Sequence, residues 1–536
     1  MAKKVIGTID FETDPFSYGK LPTPFASCIY FDSDNNAIVW SENKCVDKTI
    51  KILYELPECE LYAHNGGKFD FWYLIEHADN QNIKVINGRL AKFTIGNVTL
   101  IDSYLLAPFS LDKYKKIKIN YNMMEKNKRT KNKEKICDYL LHDCKYLLEL
   151  VNGFHKKLKK KLTIGSAAIQ SMVDLGIQIE KQDKKHDDIF RKFYFGGRVQ
   201  VINPGYKKYK KESVLIDINS AYVHAMTNDH PHGKYYIESK KFPKNSKFYF
   251  ASITAISKGC LPTREKNNEL NFYDDDLPRE YNTTSWEINA GLKTKSLKIL
   301  KINKVLIPTQ TINFKKFCEY HNHERNKAKS EKDLLNDLVH KYAGNSGYGK
   351  FATDPEKFYD WAICEKGINL KEFEGGEDYT YYNDIGIDGN ISLWRKKAND
   401  DIKNNGYYDV ATAASITSFV RAMLWIALCQ VKNPRYCDTD SILCDDIGKL
   451  KINEKLGNWK IEMFVKESYI LAKKLYLMIG HKNDKPIEKL ASKGANLKKE
   501  HILEIYDKGI YHWKNIAPTF SIFRGPVFID RKIKKC

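Results

Sequence analysis

Acidic residues occur in the first part of the chain at spacings that could bring several carboxylates together. Asp10 and Glu12 lie two residues apart in the strand-like segment VIGTIDFET, so both would point to one side of that strand. Tyr139 and Asp143 are four residues apart in YLLHD, which places them on one face of a helix. Between these segments, HNGGKFD contains two glycines and ends in Asp70. A strand, a loop and a helix could therefore bring four acids and a tyrosine to one site.

This combination suits the hydrolysis of a phosphodiester with two metal ions. Hard divalent cations take oxygen ligands, and two of them about 4 Å apart can clamp the attacking water and the leaving oxygen. Tyr139 would orient the water. Taken alone, an Asp-x-Glu pair at a strand end is common and usually structural, so the prediction depends on all three segments meeting.

A second set of carboxylates follows later in the chain. Asp217 ends the apolar strand VLIDI, and Tyr222 lies five residues further on. Asp438 and Asp440 lie in YCDTDSI, which predicts a β-turn between two strands. Burying acids in such an apolar hairpin is costly unless they are paired or bind a metal ion. One Asp in a tight turn has a structural explanation, but this pair indicates a second metal-dependent site.

The segment KYAGNSGYGKFA combines a cation, an amide and an aromatic ring. Lys341, Asn345 and Tyr348 share one helical face at positions i, i+4 and i+7. Gly344 and Gly347 each cost about 1 kcal/mol in a helix interior relative to alanine. We therefore expect something to approach this helix closely. A nucleotide fits, with Lys341 at the phosphates and Tyr348 stacking near the nascent base pair; the alternative is a glycine-weakened surface helix.

The elements that must position these residues predict several domains. A chain of 536 residues is long enough for three or four. Strands alternate with helices up to about residue 165, which predicts an α/β domain. Glycines and a proline in YFGGRVQVINPGY mark a break between domains. A poorly patterned region runs from about 228 to 310, a helical stretch follows from 314 to 349, and a glycine- and acid-rich insertion spans about 366–406.

Composition narrows the class of protein. Lys and Arg outnumber Asp and Glu by 88 to 67, an excess expected of a protein that follows a phosphate backbone, although a lysine-rich surface from AT-rich coding explains it as well. Twelve cysteines without a CxxC pair argue against a zinc ribbon and a disulfide framework. The start lacks a signal-peptide pattern, and the apolar stretch Ala422–Cys429 is too short for a membrane span, which predicts a buried core helix in a soluble protein. The lysine-rich segment Lys113–Lys135 is expected to be a mobile, solvated loop.

Taken together, the motifs resemble those of family B DNA polymerases, and within them the protein-primed branch of phages, other viruses and linear plasmids. The resemblance runs nearly end to end. It implies an RNase H-like α/β 3′→5′ exonuclease domain over residues 1–165 and a linker over 166–212. It also implies an α+β right-hand polymerase, with palm and fingers over 213–490 and a thumb over 491–536.

The resemblance assigns a role to each motif. DFET, HNGGKFD and YLLHD resemble the three exonuclease motifs, and DINSAY and YCDTDS the two palm motifs. The implied catalytic residues are Asp10, Glu12, Asp70, Tyr139, Asp143, Asp217, Asp438 and Asp440, and the implied metal-binding residues are Asp10, Glu12, Asp70, Asp143, Asp217, Ile218 and Asp440. The fingers motif implies nucleotide binding by Lys341, Asn345 and Tyr348, with Tyr222 as the steric gate beneath the sugar. DNA contacts are implied for Asn65, for Tyr194, Gly196 and Gly197 of YFGG, for Lys474 and Tyr476 of KLY, and, through a looser match, for Lys493.

The resemblance also implies cofactors and partners. It implies Mg²⁺, replaceable by Mn²⁺, with two ions per active site, and DNA template, primer, dNTPs and a terminal priming protein as partners. It implies a monomer working away from membranes in the cytoplasm of a host cell, or in a mitochondrion for the linear-plasmid type. The insertion at 228–310 would dock the priming protein. The one at 366–406, with a projecting hairpin at Tyr379–Trp394, would separate strands. Ala221 and Val223 replace the usual Leu and Pro, a change expected to affect packing.

Three other functions fit parts of the sequence, and a fourth, reverse transcription, does not. A non-catalytic DNA-binding derivative would have no reason to keep the acids of both halves. A nuclease alone would not need the fingers motif. A clamp-dependent, nucleic-acid-primed replicase is disfavoured because the first exonuclease motif begins at residue 10, which leaves no room for an extra N-terminal domain, and because the tail DRKIKKC offers no clamp-binding peptide. A reverse transcriptase would show two adjacent acids where this chain has Asp438-Thr439-Asp440.

Overall fold

The first part of the chain folds around a seven-stranded mixed sheet. The computed structural model describes residues 4–80, 82–244, 248–399 and 406–535. The strands of this sheet are β1 (Val5–Thr13), β2 (Pro24–Tyr30), β3 (Asn36–Trp40), β4 (Cys59–Ala63), β5 (Lys84–Ile86), β6 (Arg89–Ile95) and β7 (Val98–Asp102). Their order is β3-β2-β1-β4-β7-β6-β5, with β1 parallel to β4 and β4 parallel to β7. The predicted α/β domain is present.

Helices cover this sheet. Every residue of β2, β4 and β7 is buried, as expected for strands covered on both faces. Helix α1 (Cys45–Glu55) packs against β2, and α2 (Lys133–Lys157) packs against β1 and β2. The hydroxyl of Thr8 on β1 donates to the carbonyl oxygen of Cys144 on α2 at 2.9 Å. This bond holds α2 over the strand that carries Asp10 and Glu12.

The segment Lys113–Lys135 is largely exposed to solvent, as expected, but it is also anchored to the α/β domain. Tyr114, Met124 and Arg129 are all buried within it. The Arg129 guanidinium donates to an Asp14 carboxylate oxygen at 2.6 Å and forms an ion pair with Glu42. Apolar residues spaced between the lysines attach this segment to the α/β domain.

The second half of the chain is built on another seven-stranded sheet, whose order is β23-β22-β21-β9-β20-β19-β8. Its strands are β8 (Val199–Val201), β9 (Gly205–Ile218), β19 (Tyr436–Asp438), β20 (Ser441–Cys444), β21 (Trp459–Ala472), β22 (Leu475–Lys482) and β23 (Lys485–Ser492). Helices α3 (Ile164–Asp174) and α4 (Lys184–Phe190) precede this sheet in the chain, and α5 (Ala221–Met226) follows β9. The strand ending at Asp217 and the hairpin around Asp438 and Asp440 both form as predicted.

The stretch predicted as helical from 314 to 349 is two antiparallel helices. They are α7 (Lys315–Ser330) and α8 (Leu334–Phe351). Lys332 has a positive φ of 57°, and the Asp333 side chain caps α8 by accepting a hydrogen bond from the Asn336 backbone N–H. An N-cap residue three positions after the end of α7 therefore starts a new helix.

Both predicted insertions fold into small sheets. The first contains β10 (His230–Ser239), β11 (Phe250–Ser257), β14 (Arg279–Thr284) and β15 (Leu297–Ile312) in the order β10-β15-β11-β14, with α6 (Ser285–Lys293) and the hairpin β12 (Thr263–Arg264)–β13 (Leu270–Asn271). The second contains β16 (Tyr359–Glu365), β17 (Thr380–Ile385) and β18 (Ile391–Lys397) in the order β16-β18-β17. It therefore begins before residue 366, and residues 400–405 of the predicted insertion lie outside the described residues.

Helix α9 (Val410–Leu428) forms the centre of the second half of the chain. Its 19 residues and mean hydropathy of 1.5 would suffice for a membrane span, so the expectation that this region is too short was wrong. Most of the helix is buried inside the protein, which confirms the predicted core helix. The eleven cysteines in the described part of the chain are all free, as expected.

The chain ends by packing back onto the α/β domain. This part contains α10 (Lys499–Lys508), the pair β24 (Ile510–Lys514)–β27 (Asp530–Lys534) and the pair β25 (Thr519–Ser521)–β26 (Gly525–Val527). Phe520 and Ile522 share an apolar core with Trp72 of the first domain and with Ile385 and Leu393 of the second insertion. The β17–β18 hairpin forms as predicted, but it is packed against two other parts of the protein rather than projecting.

Two candidate active sites

The four acids of the α/β domain lie close to one another. Asp10 and Glu12 come from β1, Asp70 from the short helical turn after HNGGKFD, and Asp143 from the buried face of α2. Tyr139 is one turn before Asp143, and its hydroxyl lies 3.2 Å from that of Tyr121. Strand, loop and helix meet as the residue spacing predicted.

Burial and mutual repulsion make this cluster electrostatically unfavourable by itself. Burial raises the pKa of Asp10 well above its usual value, and the Asp70, Glu12 and Asp143 carboxyls raise it further. The same causes, with burial the largest, raise the pKa of Glu12 to about 8, and burial raises that of Asp70 to about 7. The Oδ1 atom of Asp70 is buried without a hydrogen-bond partner among the described residues. A bound cation would relieve both the repulsion and this unsatisfied oxygen.

Lys116 is a site residue that the sequence analysis missed. Its Nζ lies 3.4 Å from Asp143 Oδ2 and 5.5 Å from the centre of the Tyr139 ring. Burial by itself lowers the pKa of this ammonium, but the Asp143 and Asp10 carboxylates outweigh that effect and raise it overall. In the sequence it is one of many lysines in a run, and the available signal was the aromatic Tyr114 two residues earlier, which the structure shows to be buried.

Asn65 lies at the rim of the same site. It has a positive φ of 66°, and its Oδ1 accepts a hydrogen bond of 2.9 Å from Arg89. Gly67 is required here, because an added Cβ would lie 2.1 Å from the carbonyl oxygen of Leu90. A cavity of about 420 Å³ opens between Asn65 and the acids, and Asp10 is among its lining residues.

The palm acids are brought together by sheet register. Ser441 on β20 pairs with Asp217 on β9, and the Asp440 carbonyl oxygen accepts a hydrogen bond of 2.9 Å from the Ile218 N–H. Thr439, between Asp438 and Asp440, has a positive φ of 62°, so the turn reverses tightly. The side chain of Ile218 is a hydrocarbon with no donor atom, so only its carbonyl oxygen could act as a metal ligand.

The YFGG segment supports this turn from behind. An added Cβ at Gly197 would lie 2.7 Å from Thr439 Cγ2, and the Thr439 N–H donates to the Arg198 carbonyl oxygen at 2.7 Å. The Gly196 carbonyl oxygen accepts from the buried Arg421 at 2.9 Å. Tyr194 packs where the palm and the first insertion meet.

Electrostatics distinguish the three palm acids. Burial, with Asp217 and Asp438 nearby, raises the pKa of Asp440 to about 7. Burial also raises the pKa of Asp217, although Lys460 opposes this from 3.1 Å. Asp438 is bound through both carboxylate oxygens by Lys474 Nζ, each at 2.8 Å.

The negative charge of both clusters suits hard cations, but the carboxylates are not already arranged around a common point as metal ligands. Within the described ranges, no three His, Cys, Asp or Glu side chains are already grouped as metal ligands. The acids fit Mg²⁺ or Mn²⁺ by their oxygen chemistry and by their uncompensated burial. They would have to close around an ion as it binds.

Tyr222 on α5 and Tyr348 on α8 stack on each other beside the palm acids, with ring centres 4.2 Å apart. Asn345 is exposed. Lys341 is partly buried, and burial followed by the nearby Arg325 lowers its pKa. Ala221 and Val223 pack in the palm core, as expected.

Gly344 and Gly347 of α8 differ in their surroundings. An added Cβ at Gly347 would lie 2.4 Å from Met172 Cε on α3, whereas one at Gly344 would make only an ordinary contact, 3.6 Å from His321 Cβ. Gly347 therefore lies where α3 packs against α8, and a larger residue there would displace the end of the Met172 side chain.

The remaining residues predicted to contact DNA lie next to the turn that carries Asp438 and Asp440. Tyr476 is buried, and its ring lies 5.1 Å from that of Tyr436, so it supports the turn from inside. The Lys493 N–H donates to the Lys474 carbonyl oxygen at 2.8 Å. Lys474 and Lys493 are therefore neighbours across one hairpin.

Comparison with known proteins gives one consistent result. The family model described as "DNA polymerase type B, organellar and viral" matches residues 112–422. The DNA-directed DNA polymerase of Enterobacteria phage PRD1 is 32% identical over 563 aligned residues, which cover 99% of this chain and 98% of that protein. A probable DNA polymerase of Agaricus bitorquis is 24% identical, covering 87% and 69%.

Among solved structures, Phi29 DNA polymerase complexed with primer-template DNA superposes with a TM-score of 0.75 over the whole of both chains, at 16% identity. Its ternary complex with incoming nucleotide substrates gives a TM-score of 0.73. At this identity the likeness establishes the shared fold.

Proposed function

Since the chain belongs to the organellar and viral type B DNA polymerases and is a DNA-directed DNA polymerase, we propose that it has two separate active sites. One extends DNA at Asp217 and Asp440, and the other removes 3′-terminal nucleotides at the acids of the α/β domain. The observation that carries this proposal is that each half of the chain contains its own cluster of partly or fully buried acids with raised pKa values.

At the polymerase site, Asp217, Asp440 and the Ile218 carbonyl oxygen would hold two Mg²⁺ ions, for which Mn²⁺ substitutes. When bound, such ions stabilise the charge that develops during phosphoryl transfer. Lys474 holds Asp438 and so keeps the turn in place. Tyr222, supported by Tyr348, would lie beneath the sugar of the incoming dNTP, while Lys341 and Asn345 would face its triphosphate.

At the exonuclease site, Asp10, Glu12, Asp70 and Asp143 would hold the ions. Tyr139, whose hydroxyl is held by Tyr121, would orient the attacking water. Lys116 places a positive charge next to Asp143, where the phosphate of a 3′-terminal nucleotide would add negative charge. Asn65 at the cavity rim would contact the single strand.

Template, primer and dNTPs are the proposed substrates. The solved relatives of the same fold were determined with primer-template DNA and with incoming nucleotides, which supports extending those ligands to this chain. The formal net charge of +21 favours a polyanionic partner. Tyr194, Gly196, Gly197 and Lys474 surround the palm turn where a primer terminus would lie.

We further propose that synthesis starts on a terminal protein and displaces the non-template strand, with the chain acting as a monomer in the cytoplasm of a host cell. The folding and packing of the two insertions support this proposal. A four-stranded sheet stands in the first insertion, and the second insertion joins the α/β domain to the C-terminal segment through a common apolar core. Such a closure would hold the template and place a barrier to the downstream duplex.

Primer extension on a defined template with Mg²⁺, with and without dNTPs, tests the two-site proposal. We expect extension with dNTPs and degradation from the 3′ end without them. The double variant Asp10→Ala, Glu12→Ala should extend normally but no longer excise a mismatched terminus. Equal loss of both activities would contradict separate sites. Protein priming predicts a covalent protein–nucleotide adduct in producing cells, and its absence there would contradict that part.

A further inference from the structure

Lys460 lies directly opposite the first palm acid. It is carried by β21, which pairs antiparallel with β9, and in that register Lys460 is the partner of Asp217. Its Nζ lies 3.1 Å from Asp217 Oδ1, and the two side chains are 36% and 23% exposed. The ion pair is thus partly screened from water yet remains open to solvent on one side.

Of the lysines near the turn, Lys460 is the one that pairs with Asp217. Lys474 already pairs with Asp438, and Lys489 pairs with Glu462 at 2.6 Å. Asp440 forms no ion pair with any residue in the described part of the chain. Lys460 is also the cation that counteracts the burial of Asp440, so its ammonium acts on both of the acids assigned to metal binding.

We propose that Lys460 competes with a divalent cation for Asp217 and must withdraw from that carboxylate before it can bind a metal ion. This inference rests on the proposed function of Asp217 and Asp440 as metal ligands. Two like-charged groups cannot share one carboxylate without strong repulsion at such distances. A lysine on a flexible four-carbon stem, one-third exposed, can move to solvent when the metal enters.

Two consequences follow. Lys460 compensates the buried acids while no metal is bound, so it keeps the palm turn formed in the free protein. It also lowers the metal affinity of the palm, because the binding energy of the ion must include the loss of the Lys460–Asp217 pair. Lys460 is thus a positioning residue for the polymerase reaction.

Metal binding without DNA or nucleotide tests this directly. The full chain would carry Asp10→Ala and Glu12→Ala, so that binding of Mn²⁺, measured by electron paramagnetic resonance of the free ion, reports the palm. In this background, Lys460→Met should bind Mn²⁺ about five- to tenfold more tightly, because one competing charge is removed. Lys460→Arg keeps the charge and should bind nearly as the parent does.

Lys466→Met is the matched control. Lys466 lies on the same strand and pairs at 3.7 Å with Glu212, and it should leave Mn²⁺ affinity unchanged. Unchanged or weaker Mn²⁺ binding by Lys460→Met, or equal tightening by Lys466→Met, would overturn the inference. Thermal unfolding in EDTA would establish that each variant is folded. Asp217→Asn separates the two proposals, because undiminished Mn²⁺ binding by that variant would refute the palm metal site itself rather than the role of Lys460.

Discussion

The rings of Tyr222 and Tyr348 lie parallel, with their centres 4.2 Å apart and their planes 5° from each other. One ring belongs to the palm helix α5 and the other to the fingers helix α8. Burial raises the pKa of each phenol, that of Tyr348 to about 12, and the neighbouring Tyr348 raises that of Tyr222 further, so both hydroxyls stay neutral near neutral pH. The stack is a flat, rigid surface next to the palm acids.

Removing the Tyr222 ring from this stack should weaken the selection of dNTPs over NTPs. Tyr222→Val is expected to reduce the preference for dNTPs over NTPs, measured as the ratio of kcat/KM values, by about 10-fold or more, the size expected when a shaped contact in a binding site is lost. Tyr348→Phe retains the stack and should keep the preference. If selectivity were unchanged in Tyr222→Val, the gate would lie elsewhere, with Tyr348 the next candidate.

Asp440→Ala should abolish primer extension while leaving degradation of a single-stranded 3′ end intact. The reason is that metal ligands supply most of the charge stabilisation in phosphoryl transfer, so a loss of about 10³-fold or more in kcat is expected. Asp446→Ala, an acid on the surface just after β20, should extend DNA normally. Normal extension by Asp440→Ala would remove the palm assignment.

Lys341→Ala should raise the KM for dNTPs with a smaller effect on kcat. Its charge faces no acid within salt-bridge distance in the described part of the chain, so it is available to a triphosphate. Steady-state kinetics at saturating primer-template measure this. Lys329→Ala, at the exposed end of α7, is the control, and an equal change in both variants would argue against a specific role for Lys341.

Stability should fall as the pH drops below about 6.5, in part because of His230. Burial lowers the pKa of this imidazole to about 4, and a hydrogen bond to the Ala225 carbonyl oxygen opposes that effect only partly. In the unfolded chain its pKa is about 6.5, so between pH 6.5 and 4 the unfolded state binds the proton and the folded state does not. The stabilisation is therefore complete above pH 6.5, and about 3 kcal/mol is lost on the way to pH 4.

Thermal unfolding of His230→Gln at several pH values measures this contribution. The variant should be less stable than the parent at pH 7.5, because the bond with the Ser415 hydroxyl is lost, but its stability should depend less on pH. The exposed His323→Gln should follow the parent curve. Identical pH slopes in His230→Gln and the parent would show that His230 is not the titrating group.

Opening the contact between the second insertion and the C-terminal segment should shorten the products made per binding event. Asn383 donates to the Ile522 carbonyl oxygen at 3.1 Å, and the rings of Tyr382 and Phe523 are 5.7 Å apart. The double variant Asn383→Ala, Phe523→Ala should add single nucleotides normally but dissociate sooner and stop at a downstream duplex. Ile516→Ala, also exposed near the C-terminus, is the control. Undiminished product length and strand displacement would refute the closure.

The sequence by itself determined the family and the elements that carry the acids. Asp10 with Glu12, Tyr139 with Asp143, and Asp438 with Asp440 are each close along the chain, so strand, helix and turn periodicity decides their relative orientation. The comparisons confirm the predicted polymerase family and the fold of an exonuclease domain followed by a right-hand polymerase. Both insertions were located from the lengths of chain between motifs.

The tertiary structure alone decided which distant residues complete each site. Lys116 faces Asp143 and Lys460 faces Asp217, yet both look like ordinary surface lysines in the sequence. Gly347 lies against Met172, which is more than 170 residues earlier in the chain. Such contacts depend on sheet register and helix packing between segments far apart in the chain, and local residue patterns carry no information about them.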